Sequence, residues 1–224
     1  MSARAQVLAK PGVDVLRSMA SLANATNLGA EGKAKQAGVL YGATMAEMQQ
    51  RNFSVARQQL LRLQSLNGLD LSALRVVRLL AAELALISGD AAQAVALLEP
   101  KATVLANNDR ATRIQLARSR VDTQKPAQAK VAATELSLWL NQHPRDASAW
   151  LLQASAYELQ GDALRAIRAQ AEARAMELDY GAAVDRFKAA QTLAHQMASE
   201  GKLDRVGHME ASIIDARLRE LERL

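Results

Sequence analysis

Few side chains in this 224-residue sequence could do chemistry, and their spacing limits what that chemistry would be. The histidines are His143, His195 and His208. Asp204 and His208 stand four residues apart, so a helix would put both on one face, and zinc accepts a carboxylate and an imidazole. A zinc site needs three or four ligands, and no third is spaced to join them, so solvated helix polarity is the expected reading. None of the histidines is followed by Glu-x-x-His, the spacing that sets two imidazoles and a general base on one helical face. The absence of cysteine excludes disulfides and thiolate metal sites, and leaves oxidising and reducing compartments both open. No glycine-rich phosphate loop and no Ser-His-Asp or Cys-His set can be argued. The expectation is therefore a chain without catalytic residues, metal or cofactor of its own.

The other chemically active feature is basic charge. The formal net charge is +5 and the sequence pI about 9.7, which permits an anionic partner without requiring one. The excess is concentrated between Lys101 and Lys130, where Arg110, Arg113, Arg118, Arg120 and Lys125 also fall, against Asp109 and Asp122. Arg113, Arg118 and Arg120 could hold phosphates or an acidic peptide. Single-strand binders add stacking aromatics, but Tyr41, Phe53, Trp150, Tyr157, Tyr180 and Phe187 all fall at positions that helical spacing buries, leaving Trp139 alone without a core role. Nucleic acid is disfavoured as the partner.

The elements that must carry these residues are helices. Half the sequence is hydrophobic, alanine and leucine supply most of it, and apolar residues recur at helical spacing along nearly the whole chain. The stretch WLLQASAYELQGDALRA, Trp150 to Ala166, has the offsets of a tetratricopeptide (TPR) unit: a large aromatic, a small residue at Ala154, Tyr157, a Gly161-Asp162 turn and a returning alanine. Copies recur upstream, with small contact residues Ala82 and Ala117 and returning alanines Ala56, Ala94, Ala129 and Ala166, spaced by 38, 35 and 37 residues. These approximate the ~34-residue TPR period. The next match, Ala183, comes only 17 residues later, so the helix from about Ala163 to Leu178 is expected to close one repeat and open the next, with Ala171 as its small contact.

The predicted fold is thus all-α, a TPR-type superhelix of antiparallel helix pairs. Residues 1–30 are a helical lead-in, 31–200 hold about four and a half units, and 201–224 form a capping helix with Ile213, Ile214, Leu218 and Leu221 inward and a polar face outward. No apolar run approaches membrane-spanning length, and Val7 to Ala9 is too short for a signal-peptide core, so a soluble chain without an export signal is expected.

In a TPR array the first helix of each unit lines a concave groove. That register nominates Tyr41, Met45 and Met48, then Leu79, Glu83 and Leu86, then Ile114, Arg118 and Val121, then Leu151, Ser155 and Glu158. The mixture is largely apolar and suits an extended or helical apolar segment of a partner protein. Tyr41 and Met45 stand where a carboxylate-gripping TPR would carry Lys and Asn, which disfavours capture of a chain terminus.

Four stretches, PGVDVLRSM near the start, HPRDASAWLLQASAYELQGDALRAIRAQAE, DYGAAVDRFKAAQ and the ending ASIIDARLREL, resemble in order the C-terminal TPR region of bacterial periplasmic zinc metallopeptidases of the HtpX-like class, the beta-barrel assembly-enhancing (BepA-like) proteases. The resemblance implies a periplasmic location, an adjoining peptidase domain that binds zinc through an HExxH helix, and outer-membrane β-barrel proteins or their assembly machinery as partners. This sequence has no HExxH, so no catalytic residue carries over. A self-standing cytosolic TPR adaptor or regulatory protein is the alternative, and an RNA-binding solenoid a third; an HExxH domain encoded upstream of Met1 would decide for the first.

Overall fold

The computed structural model describes Asn24, residues 29–99 and residues 109–223; most of the expected lead-in and Lys101 lie outside them. Among the described residues the regular structure is entirely helical. The chain divides into two compact units, Met1–Asn108 and Asp109–Leu224. The first holds α1 (Ala30–Gln49), α2 (Phe53–Gln64), α3 (Leu71–Ile87) and α4 (Ala91–Leu98). The second holds α5 (Arg110–Asp122), α6 (Pro126–Gln142), α7 (Ala147–Glu158), α8 (Ala163–Met176), α9 (Tyr180–Ser199) and α10 (Arg205–Leu221).

Local chemistry sets where each helix starts and stops. Aspartate opens seven of the ten: Asp70, Asp90, Asp109, Asp146, Asp162, Asp179 and Asp204 each accept a hydrogen bond from the backbone N–H three residues on. Each side chain satisfies one of the amides that a helix start leaves unpaired, and contributes about 1 kcal/mol. Pro126 is the first residue of α6, where its missing N–H costs nothing. In every described turn within the two units except that between α6 and α7, one residue takes the left-handed conformation that reverses the chain, Gly89 and Gly161 at φ 87° and 73° among them. The backbone N–H of the following Asp90 or Asp162 then closes back onto the carbonyl of Ala85 or Tyr157.

Leu178 adopts the same conformation at φ 63° between α8 and α9, with its side chain exposed. An L-residue there is strained where glycine is not, so Leu178→Gly should raise the unfolding free energy by about 1 kcal/mol. Urea unfolding with an unchanged m-value checks this; a destabilised variant would contradict the strain.

Short turns make consecutive helices antiparallel neighbours, and in each unit helices two apart also touch: α1 with α3, α5 with α7, and α8 with α10. Alanines permit this approach. Ala56, Ala94, Ala129, Ala171 and Ala183 are wholly buried and Ala154 and Ala166 nearly so. The core of the first unit is leucine-rich, with Leu40, Leu63, Leu80 and Leu84. In the second unit α8 belongs to two cores: Ala166 packs with Ala129, Leu136 and Tyr157, while Leu164, Ala171 and Ala175 pack with Phe187 and Ile214.

Three burial expectations need correction. Tyr180, in the first turn of α9, is exposed rather than buried. Trp139 does have a core role and packs against the Leu136–Tyr157 cluster. On α10, Ile214, Leu218 and Leu221 face inward as expected, but Ile213 points out.

Charged pairs fix α10 on α8. Glu172, itself buried, receives two hydrogen bonds from the Arg217 guanidinium at 3.0 and 2.9 Å. One turn-pair earlier, Glu210 lies between Arg168 at 2.6 Å and Arg165 at 3.4 Å. These two arginines sit over the Trp150 and Tyr157 rings of α7 respectively, both at 5.6 Å. Trp150 and Tyr157 are thereby tied through α8 to α10. Hydrogen bonding to Glu172 chiefly, over an opposing burial effect, raises the Arg217 pKa further above its ordinary value.

Candidate protein-interaction surface

In the first unit a cleft of about 390 Å3 opens between α1 and α3. One wall is Ala34, Ala37, Gly38 and Tyr41 of α1; the other is Ser72, Ala73 and Val76 of α3, with Leu63 and Leu69 beneath. The lack of bulk on α1 creates the opening: Ala34, Ala37, Gly38 and Tyr41 lie at i, i+3, i+4 and i+7, one helical stripe that ends in a single aromatic. Next to the cleft, Val76, Leu79, Glu83, Leu86 and Ile87 share the solvent side of α3, with Val76, Glu83 and Ile87 exposed and the two leucines half-buried.

The structure sorts the nominated residues. Tyr41 lines the cleft, and Leu79, Glu83 and Leu86 stand on the adjoining accessible face. Met45 and Met48 do not: at 8% and 7% exposure they belong to the core with Leu40 and Leu63. The reason is that α1 packs on both α2 and α3, so its covered arc is wider than a single amphipathic stripe. Ala34, Ala37, Gly38 and Val76 escaped the sequence reading, although the small-residue stripe on α1 was there to be read.

In the second unit, α5 and α7 offer a more polar face. Leu151 and Arg118 are exposed, and Ile114 is half-buried against the core. The Ser155 hydroxyl donates to the Leu151 carbonyl at 3.3 Å, and Glu158 accepts from Gln170 at 2.6 Å. Val121, nominated with them, is buried in the core.

The arginines of the basic stretch do not form one patch. Arg113 lies over the Trp139 ring at 5.4 Å, exposed Arg118 reaches Asp122 at 3.7 Å, and Arg120 is buried and paired with Glu135. Three guanidiniums held by three different partners make no common phosphate cradle.

Arg110, itself exposed, instead builds a node on the well-covered carboxylate of Asp146. Its Nε and Nη2 donate to the two oxygens of Asp146 at 2.8 Å each, Trp139 Nε1 donates to the same carboxylate at 3.0 Å, and the Ala149 amide at 3.2 Å. His143 stacks on Trp139 with ring centroids 3.7 Å apart, and Trp150 Nε1 donates to the Pro144 carbonyl at 2.8 Å. The link between α6 and α7 is thus held rigid, and the aromatics here are structural. No spacing rule joins Arg110 to Asp146, so this contact could not be read from the sequence.

Burial alone would raise the Asp146 pKa, but the hydrogen bonds from Arg110, Trp139 and the Ala149 amide, with the Arg110 charge, outweigh it and hold the carboxyl below its ordinary value. A depressed folded-state pKa stabilises the fold above the unfolded value of about 4, and that stability is lost as pH falls through the folded value. Asp146→Asn keeps the helix cap but loses the charge, so its melting temperature should fall less steeply than the parent's below about pH 4. Parallel acid limbs would contradict the node.

Asp204 and His208 do share a helix, but the carboxylate is engaged in capping α10, accepting from the Gly207 amide at 2.7 Å. Among the described residues no three His, Asp or Glu side chains converge as a metal-holding group. No helix among them is long and apolar enough to cross a membrane.

No protein-family model and no curated protein matches this chain. The functional reading therefore rests on the surface itself. Within the first unit the α1–α3 cleft is an apolar opening with walls of small residues and one tyrosine, of a size to take a side chain or two of an apolar segment.

Proposed function

We propose that this chain is a TPR-type protein-interaction domain that captures an extended or helical apolar segment of a partner in the cleft between α1 and α3. On the resemblance in its sequence, it serves as the non-catalytic C-terminal part of a periplasmic zinc metallopeptidase of the HtpX-like class, in outer-membrane protein quality control. Zinc and the catalytic residues then belong to the adjoining peptidase domain, and unfolded outer-membrane β-barrel segments are the partners. The observation that carries the reading is the open apolar cleft between two helices that are two apart in sequence and in contact. Support comes also from the Gly-Asp hairpin turns and from α8, which packs into two successive cores as a shared TPR helix would.

Val76→Glu tests it. Val76 is exposed, so the variant should fold with an unchanged melting temperature, yet any ligand over the cleft would have to desolvate the new carboxylate. A fluorescent β-barrel-derived peptide of alternating apolar residues should bind the parent chain in the micromolar range and the variant at least about tenfold more weakly. Equal anisotropy titrations would overturn the assignment.

A further inference from the structure

The outward side of α10 is not wholly polar as the sequence predicts, but carries a line of apolar residues. Val206, Met209 and Ile213 are exposed at 43%, 61% and 39%, and Ala216 beyond them is exposed too. Their spacing of three, four and three residues sets them in one straight stripe, the seam on which two helices pack. The opposite side of α10 is already committed: Ile214, Leu218 and Leu221 are buried against its neighbours. Its apolar content therefore exceeds what the fold consumes. At its N-terminal end the stripe meets a largely polar cavity of about 520 Å3, where Val206, Leu203 and Met197 stand among Asp162, Arg165 and Glu210.

The two edges of the stripe differ in charge. On one edge Glu210 and Arg217 are taken up, Glu210 by Arg165 and Arg168 of α8, and Arg217 by Glu172 of α8 and by the exposed Glu220 of its own helix, which ends the stripe. On the other, Arg205 and Arg219 are exposed and have no acidic partner among the described residues. An apolar seam with a cationic edge selects its occupant by charge. Two copies of this helix packed antiparallel would bring their arginine edges together, and packed parallel would set them against an edge whose charges are spent.

We propose that the α10 stripe is a second docking surface, and that its occupant is an amphipathic helix of another protein with an apolar seam flanked on one edge by Asp or Glu. The α8 ion pairs hold the receiving helix still, so the partner meets a preformed surface and loses less freedom on binding.

The test uses the full chain and two synthetic helical peptides of about 20 residues with the same leucine seam, one edged with Glu and one with Lys. The Glu-edged peptide should bind roughly tenfold more tightly than the Lys-edged one, as expected for two exposed ion pairs gained against two repulsions, and the difference should shrink with salt. Arg205→Glu with Arg219→Glu should reverse the order, and Met209→Ser should weaken both peptides. Val76→Glu, in the other unit, should change neither. The proposal is overturned if both peptides bind equally, if Met209→Ser has no effect, or if Val76→Glu abolishes binding. It is equally overturned if sedimentation finds a dimer of the chain that Met209→Ser dissolves.

Discussion

Phe187→Ala should lower the unfolding free energy by about 3–5 kcal/mol, the upper part of what a core truncation costs. Phe187 is 0% exposed and is the largest wholly buried side chain among the described residues. Its core includes Ala171, Ala175, Ala183, Ala190 and Ala194, alongside Leu164, Ile214, Leu218 and Leu221. Alanines have no rotamers with which to collapse into a vacancy, so the cavity should persist, and the cost rises with residual cavity volume. Phe187→Leu, which keeps most of the bulk, should cost about half as much or less. Denaturant unfolding of the three proteins decides this; a loss below about 1 kcal/mol for the alanine variant would mean that α9 does not sit on α8 and α10 as described.

Arg217→Ala should cost about 2–4 kcal/mol, less from the pair lost than from the charge left behind. Glu172 is buried, and without the guanidinium its carboxylate would have neither counter-charge nor solvent. The distinction is measurable. Replacing both residues with methionine removes the stranded charge and should recover most of the loss, whereas a pair that was itself strongly stabilising would leave the double variant as weak as the single one. Thermal unfolding of Arg217→Ala and of the double variant, each against the parent, provides the comparison.

Much of the helical framework could be read from residue type and spacing because few residues can satisfy the local demands. Gly89-Asp90 and Gly161-Asp162 combine a left-handed stop with a side-chain cap, and buried alanines mark where helix axes come close. The turn at Leu178 was harder to see, since leucine takes the place that glycine fills elsewhere. Met45 and Met48 were misplaced because α1 is covered on two sides, and a period of 3.6 residues does not say how wide the covered arc is. The Arg110–Asp146 node joins residues 36 apart through side chains alone, which no periodicity encodes. The second apolar face of α10 was written in Val206, Met209 and Ile213, but the capping role set Ile213 inward and left Val206 and Met209 unassigned.

The most direct test of capture between α1 and α3 is site-specific photocrosslinking. A benzophenone amino acid replaces Val76 beside the cleft in one protein and Leu61 on α2 in another; both positions are exposed and apolar, and only the first lines the opening. Mixed with an unfolded outer-membrane β-barrel protein, the chain should crosslink strongly from position 76 and weakly from position 61. Equal yields from the two positions would show that apolar segments stick to any greasy surface of the chain, and the cleft would lose its claim to be the site.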